Sequence, residues 1–402
     1  MKRRFAAVIA AALVASSAAA TPDPADWDAV LAEAEGQTVY FNAWGGSTAT
    51  NDFIAWAGAQ VKDRYGVTVE HVKLSDTADA VSRVLAEKTA GQDQGGAVDL
   101  IWINGANFAA MKENDLLFGP WAEDLPNWKY VDVEGKPAVV NDFTVPTEGF
   151  ESPWAMAQVV FYHDTARLPE PPKTIAGLLD WAKANPGRFT FPQPPDFLGT
   201  TFLKQALYGL VDDPSVLQKP VDAVDYAAIT APLWSFLDEL TPKLWRSGRA
   251  YPQTGPRQIQ LMADGEIDLA ISFSPGEAST AIANHQLPDT VRTFVLEGGT
   301  IGNASFLAIP YNATAKAGAM VLANFLLSPE AQARAQDPDI LGYGTVLSMA
   351  RLSAEQRAAF DALDLGIATL PPEQLGPVLP EPHPSWATRL AEDWTARYGI
   401  AP

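Results

Sequence analysis

The first part of the chain alternates between short apolar runs and amphipathic segments. Apolar or β-branched runs occupy residues 38–43, 67–72 and 98–103, and the last of them, VDLIWI, is almost continuously apolar. Such a run is typical of a strand buried on both faces of a parallel sheet. Between the runs, apolar residues recur at i, i+3 and i+4 over residues 53–65, and a second helix is predicted at 79–89. The alternation predicts an α/β domain with a mainly parallel sheet.

A second α/β unit is predicted over residues 154–300. It is entered through extended stretches within residues 143–164 and contains a further apolar strand at 267–273. A third segment begins with a strand at 302–310 and includes a proline-rich stretch, 370–384, that we expect on the surface. Further predicted elements are a strand at 188–191 and helices at 108–114, 174–184, 199–210, 232–240, 258–263, 315–327 and 386–398.

The N-terminus has the pattern of a secretory leader. Lys2, Arg3 and Arg4 precede an apolar run over residues 5–15, and small residues follow up to Ala20. A positive region, a short apolar region and an A-x-A motif indicate a signal peptide. The run is shorter than the roughly 20 residues of a membrane span. We therefore predict export with cleavage before Thr21 and a mature protein that is free in the periplasm.

Composition narrows the classes of partner. The chain has 28 Lys and Arg against 48 Asp and Glu, and its net charge is −20. Such a surface repels phosphate backbones, so we expect neither nucleic acid nor an anionic membrane surface as a partner. There is no cysteine, and no zinc, calcium or Walker motif stands in the sequence. We therefore expect no disulfide, no metal and no cofactor.

Polar residues follow two of the predicted strands. Trp44, Gly46 and Ser47 come directly after the first strand, and Asn104 and Asn107 follow the strand at 98–103. Ligands of α/β proteins bind at the carboxyl ends of strands, and amide side chains both donate and accept hydrogen bonds. Each group also has a purely structural interpretation, in which Ser47 or Asn107 caps the next helix. Both interpretations stay open at this point.

Candidate ligand contacts also occur in the second half. Trp154 follows a Ser-Pro turn at the expected passage between domains, Phe197 and Thr200 open a helix, and Ser274 follows the strand at 267–273. Aromatic rings in a cleft between domains can stack on a ring or enclose a cation. Most of the 12 tryptophans are nevertheless expected in the core.

Catalysis finds little support. The segment from Gly45 to Ala49 nearly matches the G-x-S-x-G nucleophile elbow, but Ala49 replaces the last glycine. The four histidines of the chain stand in no triad context. Carboxylates are abundant enough that a glycosidase pair stays open on composition, without a local motif that supports it. A secreted hydrolase or glycosidase on a two-lobed scaffold is therefore the alternative hypothesis.

Four segments resemble the family 1 extracellular solute-binding proteins of ABC importers, which include maltose-, polyamine-, iron- and thiamine-binding proteins. They run in the family's order and include a Ser-Pro-Glu-Ala-Gln turn at residues 328–332. Within the class the chain looks most like the YnjB-type branch. The four segments are residues 40–48, 98–117, 152–164 and 302–333.

The resemblance implies the two-lobed type II periplasmic binding protein fold, α/β with mainly parallel sheets in both lobes and hinge crossing strands. It implies a first lobe of residues 21–152 plus 303–345 and a second lobe of residues 153–302 plus 346–402, after the leader at 1–20. The lobes would close on a ligand and the protein, expected to be a monomer, would dock on ABC importer permease subunits in the inner membrane. No catalysis is implied.

Carried over by position, the resemblance implies a ligand site between the lobes. The adjacent tyrosines of the iron-binding branch are missing, which disfavours iron. A small polar organic solute is expected, and a thiamine-like or polyamine-like cation fits the aromatic residues and the acidity better than a sugar. The implied ligand-binding residues are Trp44, Gly46, Ser47, Asn104, Asn107, Trp154, Phe197, Thr200, Ser274 and Asn303.

Overall fold

A computed structural model describes residues 22–371 and 374–400. The predicted signal peptide at residues 1–20 therefore lies outside the described residues. Within the part that the structure describes, no helix combines the length and the apolar character that crossing a membrane requires.

The larger sheet is built on three parallel strands, β1 (Thr38–Trp44), β2 (Thr68–Leu74) and β3 (Leu100–Ile103). β1 lies between the other two, so the carboxyl ends of all three strands meet at one edge of the sheet. The long strand β10 (Thr300–Ala308) continues the sheet beside β3 but runs antiparallel to it. On its other side β10 pairs antiparallel with β6 (Glu151–Gln158).

Local sequence sets the ends of the helices around this sheet. The helix α2 (Thr48–Tyr65) begins at its N-cap Ser47 and ends at Gly66, whose φ of 71° continues the chain in the left-handed region. Glycine adopts that conformation without a steric penalty. The other helices of this part are α1 (Trp27–Ala34), α3 (Ala78–Thr89), α4 (Ala106–Glu113), α10 (Lys316–Leu326), α11 (Pro329–Gln336) and α12 (Ala354–Asp361).

The smaller sheet has β7 (Val160–Asp164) between β8 (Leu269–Ser272) and β9 (Val291–Phe294), and both pairings are antiparallel. The prediction of mainly parallel sheets is therefore wrong for this sheet. The reason is that β7 continues the path of β6 after one intervening residue, Val159, and so enters the sheet in the direction of the crossing strand. The strand predicted at 188–191 is present as an isolated bridge between Phe189 and Leu269.

Helices cover this smaller sheet, and short strands complete the fold. The helices are α5 (Ile175–Ala184), α6 (Phe197–Tyr208), α7 (Tyr226–Leu240), α8 (Gly255–Ala263), α9 (Glu277–Ala283) and α13 (Pro384–Tyr398). A hairpin of β4 (Asn141–Asp142) and β5 (Val145–Pro146) precedes β6, and β11 (Val378–Leu379) pairs with the start of β10.

Two large hydrophobic cores define two lobes. The first core packs around β1, β2 and β3, and the second packs around β7, α6 and α13. The chain passes between the cores along β6, where Trp154 belongs to the first core and Val159 to the second. It returns along β10, where Ile301 belongs to the second core and Ala304 to the first. The predicted residue boundaries of the lobes stay a prediction.

Candidate functional site

The loop after β1 is held in one conformation by local contacts. The indole ring of Trp44 packs against Gly46, where an added Cβ would overlap the ring. The Ser47 hydroxyl accepts the backbone N–H of Thr50 at 3.4 Å, and the Asn51 side chain donates to the Gly45 carbonyl at 3.1 Å. The capping interpretation of Ser47 is therefore confirmed. Because a hydroxyl also has one proton to donate, the cap leaves Ser47 able to bind a ligand.

The loop after β3 faces the β4–β5 hairpin. Gly105, at a φ of 61°, is the N-cap of α4, and its N–H donates to Asp142 Oδ2 at 2.7 Å. The ring of Phe143 packs so closely on Gly105 that an added Cβ would lie 2.6 Å from it. Asn104 is half-buried beside this contact. Asn107 is the second residue of α4, so the alternative prediction that Asn107 caps this helix is wrong.

Trp154 lies inside the first core and is 2% exposed. Its ring centroid is 4.8 Å from that of Trp102, 5.9 Å from that of Tyr343 and 6.1 Å from that of Phe53. Its buried Nε1 finds no hydrogen-bond partner among the described residues. Only a small part of this side chain therefore faces the space between the lobes, and its predicted role as an aromatic wall stays a prediction.

The start of α6 lies on the side of the second lobe that faces the first lobe. Asp196 caps this helix by accepting the N–H groups of Leu198 and Gly199 at 2.9 and 3.2 Å. Phe197, 42% exposed, contacts Phe273 edge-on with ring centroids 5.3 Å apart. The pKa of Asp196 is raised to about 6, mainly by burial and in part by the charge of Asp76 in the first lobe, although the two N–H groups lower it. The two lobes therefore approach each other at this edge with acidic groups on both sides.

Near the hinge, Ser274 belongs to a set of contacts between the lobes. Its hydroxyl donates to the Gly342 carbonyl at 3.3 Å, and the backbones of Gly276 and Gly342 touch. Glu277, the first residue of α9, lies close by. Burial raises its pKa to about 7, and its charge acts on the buried hydroxyl of Tyr162. This edge of the cleft is polar and tightly packed.

The sequence analysis missed a buried ion pair. Lys204 Nζ lies 2.6 Å from Glu381 Oε2, and both side chains are at most 2% exposed. Asn303 donates from Nδ2 to Glu381 Oε1 at 3.0 Å. The Phe143 and Phe197 rings lie 4.7 and 5.5 Å from Lys204 Nζ. Glu381 stands in the stretch 370–384 that was predicted on the surface, and for this residue that prediction is wrong.

Buried carboxyl groups surround the ion pair. Burial raises the pKa of the fully buried Asp142 to about 8, the Gly105 N–H lowers it, Glu381 raises it and Lys204 lowers it. Burial also raises the pKa of Glu151 well above its usual value, and neighbouring Asp142 adds to that shift. With a pKa of about 8, the Asp142 carboxyl is mainly neutral at pH 7.

The structure brings several predicted residues together and separates others. Asn303 lies in the contact network of Lys204, and Thr200 lies one turn before Lys204 on α6. Phe197 shares the same network through its ring. Trp44, Gly46 and Ser47 lie at the end of β1 and Asn104 and Asn107 at the end of β3, while Ser274 lies at the hinge.

The arrangement offers acceptors and aromatic rings. Asp142 Oδ1, Asn303 Oδ1 and Thr200 Oγ1 are buried and accept no hydrogen bond from any described residue. Groups of three or more potential metal-ligating side chains do not occur across the described ranges. Chemically the site is suited to a polar ligand that donates hydrogen bonds.

Comparison with known sequences gives two matches. The family model for bacterial extracellular solute-binding proteins matches residues 56–361. Protein YnjB of Escherichia coli (strain K12) is 46% identical over 374 residues, which are 93% of this chain and 94% of YnjB. Both matches span well over half of the chain.

Several solved structures share the fold of this chain. The Tp0655 (TpPotD) lipoprotein of Treponema pallidum has a TM-score of 0.65 at 14% identity, over 89% of this chain and 98% of that one. The periplasmic binding protein AfuA from Actinobacillus pleuropneumoniae has a TM-score of 0.62 at 16% identity, over 91% and 99%. A putative spermidine/putrescine ABC transporter from Listeria monocytogenes has a TM-score of 0.60 at 18% identity, over 89% and 98%. These likenesses confirm the predicted two-lobed α/β fold.

Proposed function

Since the chain belongs to the family of bacterial extracellular solute-binding proteins, we propose that it captures a small polar organic solute between its lobes and delivers it to an ABC importer. Membership identifies a binding protein and speaks against the secreted enzyme that was the alternative hypothesis. The predicted YnjB-like branch is confirmed by the identity to YnjB. The leader pattern at residues 1–20 supports the further proposal that the protein is exported to the periplasm.

The observation that carries the ligand class is the excess of carboxyl groups where the lobes meet. The charge of Asp76 in the first lobe raises the pKa of Asp196 in the second, and the charge of Glu381 raises the pKa of Asp142. The charge of Lys204 is already paired with Glu381. An anion gains nothing from these carboxyl groups, whereas a cation can pair with them once they are ionised. We therefore favour a cationic solute, such as a polyamine-like or thiamine-like compound, over a sugar or an anion.

Aromatic side chains support the same proposal. Phe143 from the first lobe and Phe197 from the second already flank the ammonium group of Lys204. Phe273 packs edge-on against Phe197 and extends this surface. Ring faces attract cations, and the attraction increases when water is excluded. Trp44, half-buried at the end of β1, would add a further ring on the side of the first lobe.

The hydrogen-bonding residues of the proposal come from both lobes. Ser47 and Asn104 would contact the solute from the strand ends of the first lobe, while Thr200 and Asn303 would contact it from α6 and β10. Thr200 Oγ1 and Asn303 Oδ1 are buried acceptors without a partner in the part of the chain described. A buried polar group without a partner destabilises the folded state, so a donor from a ligand would stabilise the closed protein.

The structural neighbours do not indicate which ligand this chain binds. One neighbour is described with exogenous fructose-6-phosphate bound and another as a spermidine/putrescine transporter, and these compounds have opposite charges. At the identities of these neighbours the likeness shows the fold alone. The ligand class therefore depends on the residues of this chain.

A thermal-shift screen tests the proposal. The purified mature protein is heated with amines such as putrescine, spermidine and thiamine, with neutral sugars, and with phosphorylated sugars. A ligand that binds the folded state raises the melting temperature in proportion to RT ln(1 + [L]/Kd). We expect shifts from one or more amines and recovery of the amine unchanged. Chemical consumption of the compound would contradict the binding-protein function, and shifts from anions alone would contradict the cation preference.

A further inference from the structure

Four side chains form a buried polar cluster between the lobes, which we call the interlobe cluster: Asp142, Lys204, Asn303 and Glu381. Asp142 comes from the hairpin of the first lobe, Lys204 and Glu381 come from the second lobe, and Asn303 lies on β10 where the chain passes between them. Each member is at most 3% exposed. The cluster therefore lies where lobe movement would act on it.

The oxygen atoms of the interlobe cluster differ in whether they accept a hydrogen bond. Both oxygens of Glu381 are used, one by Lys204 at 2.6 Å and one by Asn303 at 3.0 Å. Asp142 uses Oδ2 for the Gly105 N–H at 2.7 Å, and its Oδ1 has no partner among residues the structure describes. The Asn303 amide oxygen Oδ1 likewise has no partner in the described part of the chain. Neither oxygen therefore receives a hydrogen bond from a described residue, and once Asp142 has lost its proton both can accept hydrogen bonds from a ligand.

A protonated amine supplies the N–H donors that these two oxygens lack. An ammonium group carries a positive charge and up to three N–H donors, which match a carboxyl oxygen and an amide oxygen. The cluster already accommodates one such group, because Phe143 and Phe197 lie 4.7 and 5.5 Å from the ammonium of Lys204. A phosphate or carboxylate ligand would add acceptors beside acceptors.

We propose that Asp142 recognises a protonated amine of the solute, that Asn303 shares this contact, and that Asp142 loses its proton when the amine binds. The inference rests on the proposed function, because it specifies the solute class and the proton balance of the same site. The lobes must separate to admit the amine and close over it, as hinge proteins of this fold do.

The proton balance follows from the surroundings of Asp142. Without a ligand its carboxyl is neutral near pH 7, because burial raises its pKa to about 8. Glu381 favours the neutral form and Lys204 opposes it. Asp142 in turn raises the pKa of Glu151, and Lys112 lowers it. A bound ammonium favours the carboxylate, so the O–H bond breaks and the proton passes to solvent while the amine keeps its own protons.

Amine binding should therefore depend on pH in one direction. Below about pH 8 the amine has to displace a proton, so the dissociation constant should rise by up to about tenfold for each pH unit of acidification. The dependence ends where the pH reaches the pKa of Asp142 in the occupied state.

Titration calorimetry with putrescine and spermidine tests this proposal on the full mature chain. Titrations at about pH 6, 7 and 8.5, each in two buffers with different enthalpies of ionisation, give the affinity and the number of protons released. Tetramethylammonium, a cation without N–H donors, serves as the probe that separates charge from hydrogen bonding. We expect proton release below about pH 8 and binding of the amines at least about tenfold tighter than of tetramethylammonium.

The variant Asp142→Asn and a matched control test whether the released proton comes from Asp142. The amide introduced by Asp142→Asn keeps an oxygen for the Gly105 N–H but cannot titrate, so we expect loss of proton release and a flat pH profile. Glu277→Gln removes a different buried carboxyl with a raised pKa and should leave the release unchanged. Thermal melts of both variants establish that they fold.

Three results would overturn the proposal. They are proton release that persists in Asp142→Asn, release that disappears in Glu277→Gln instead, and absence of binding by both amines at every pH. If both amines fail to bind while a neutral or anionic solute binds, this inference is wrong and the proposed function stands. If no solute of any class binds, the proposed function itself fails.

Discussion

Lys204 Nζ lies 2.6 Å from Glu381 Oε2 inside the protein, and 177 residues separate the two along the chain. The pair ties α6 to the segment before α13 and places a charge beside the contact between the lobes. Removing two charges from water is costly, and the pair recovers that cost only while both partners are present. The stability of the second lobe and the electrostatics of the site therefore depend on the same two residues.

Lys204→Met should lower the free energy of unfolding by about 3 kcal/mol, because it leaves Glu381 buried without a counter-charge. Denaturant titration measures the change. Lys183→Met is the matched control, since Lys183 and Glu239 form an ion pair at 2.5 Å with side chains 41% and 57% exposed. Exposed pairs contribute about 0–1 kcal/mol. Equal costs for the two variants would contradict the importance of the buried pair.

Stability should fall with rising pH through the ionisation of Asp142. Its pKa is about 8 in the folded protein and about 3.9 in the unfolded chain, so the folded state gains from the neutral carboxyl at low pH. This stabilisation is complete below about pH 4 and is lost as the pH rises through about 8.

Asp142→Asn tests this dependence without any ligand. Between pH 5 and pH 8.5 the stability of the variant relative to the unsubstituted protein should increase by about 4 kcal/mol, because only the unsubstituted protein has a carboxyl to ionise at this position. Thermal melts at the two pH values measure the difference. A constant difference would show that Asp142 is already ionised in the folded protein throughout this range.

Gly105 and Gly91 form a pair that separates backbone strain from a side-chain clash. Both have a positive φ, 61° and 74°, but an added Cβ meets Phe143 at Gly105 and nothing within 4 Å at Gly91. Gly91→Ala should cost about 1 kcal/mol from the backbone alone. Gly105→Ala should cost more than that and should weaken solute binding, because Phe143 must move. Similar effects of both substitutions on binding would contradict a role for Phe143.

Ser47 and Ser353 allow capping to be separated from ligand binding. Both hydroxyls accept a backbone N–H at the start of a helix, Ser47 from Thr50 and Ser353 from Gln356. Replacing either by alanine should lower stability by about 1 kcal/mol. Only Ser47→Ala should also weaken solute binding, measured by calorimetry with a hit from the thermal-shift screen. An unchanged affinity for the solute would show that Ser47 caps the helix but does not bind the ligand.

The sequence predicted the elements of the first lobe well because their signals are local. The helix predicted at 79–89 is α3 (Ala78–Thr89), and the strand predicted at 38–43 is β1 (Thr38–Trp44). Apolar spacing, a serine cap and a glycine at the helix end determine such elements within a few residues. The strand ends that carry Ser47 and Asn104 followed from the same signals.

The interlobe cluster could not be predicted in this way. Asp142, Lys204 and Glu381 are distant in sequence, and no spacing rule connects a lysine of the buried helix α6 with a glutamate in a proline-rich stretch. Prolines at 380 and 382 indicate surface chain on composition, whereas packing against α6 buries Glu381 to 2% exposure. The antiparallel second sheet escaped prediction because strand direction depends on the path of the crossing strand β6.

Titration calorimetry of spermidine or putrescine into the mature protein, with recovery of the amine afterwards, tests solute capture by the acidic interlobe site most directly. We expect saturable binding of one amine per chain, tighter at about pH 8.5 than at about pH 6, with the amine recovered unchanged. Turnover of the amine, or binding restricted to phosphorylated or other anionic solutes, would contradict capture of a cation at this site.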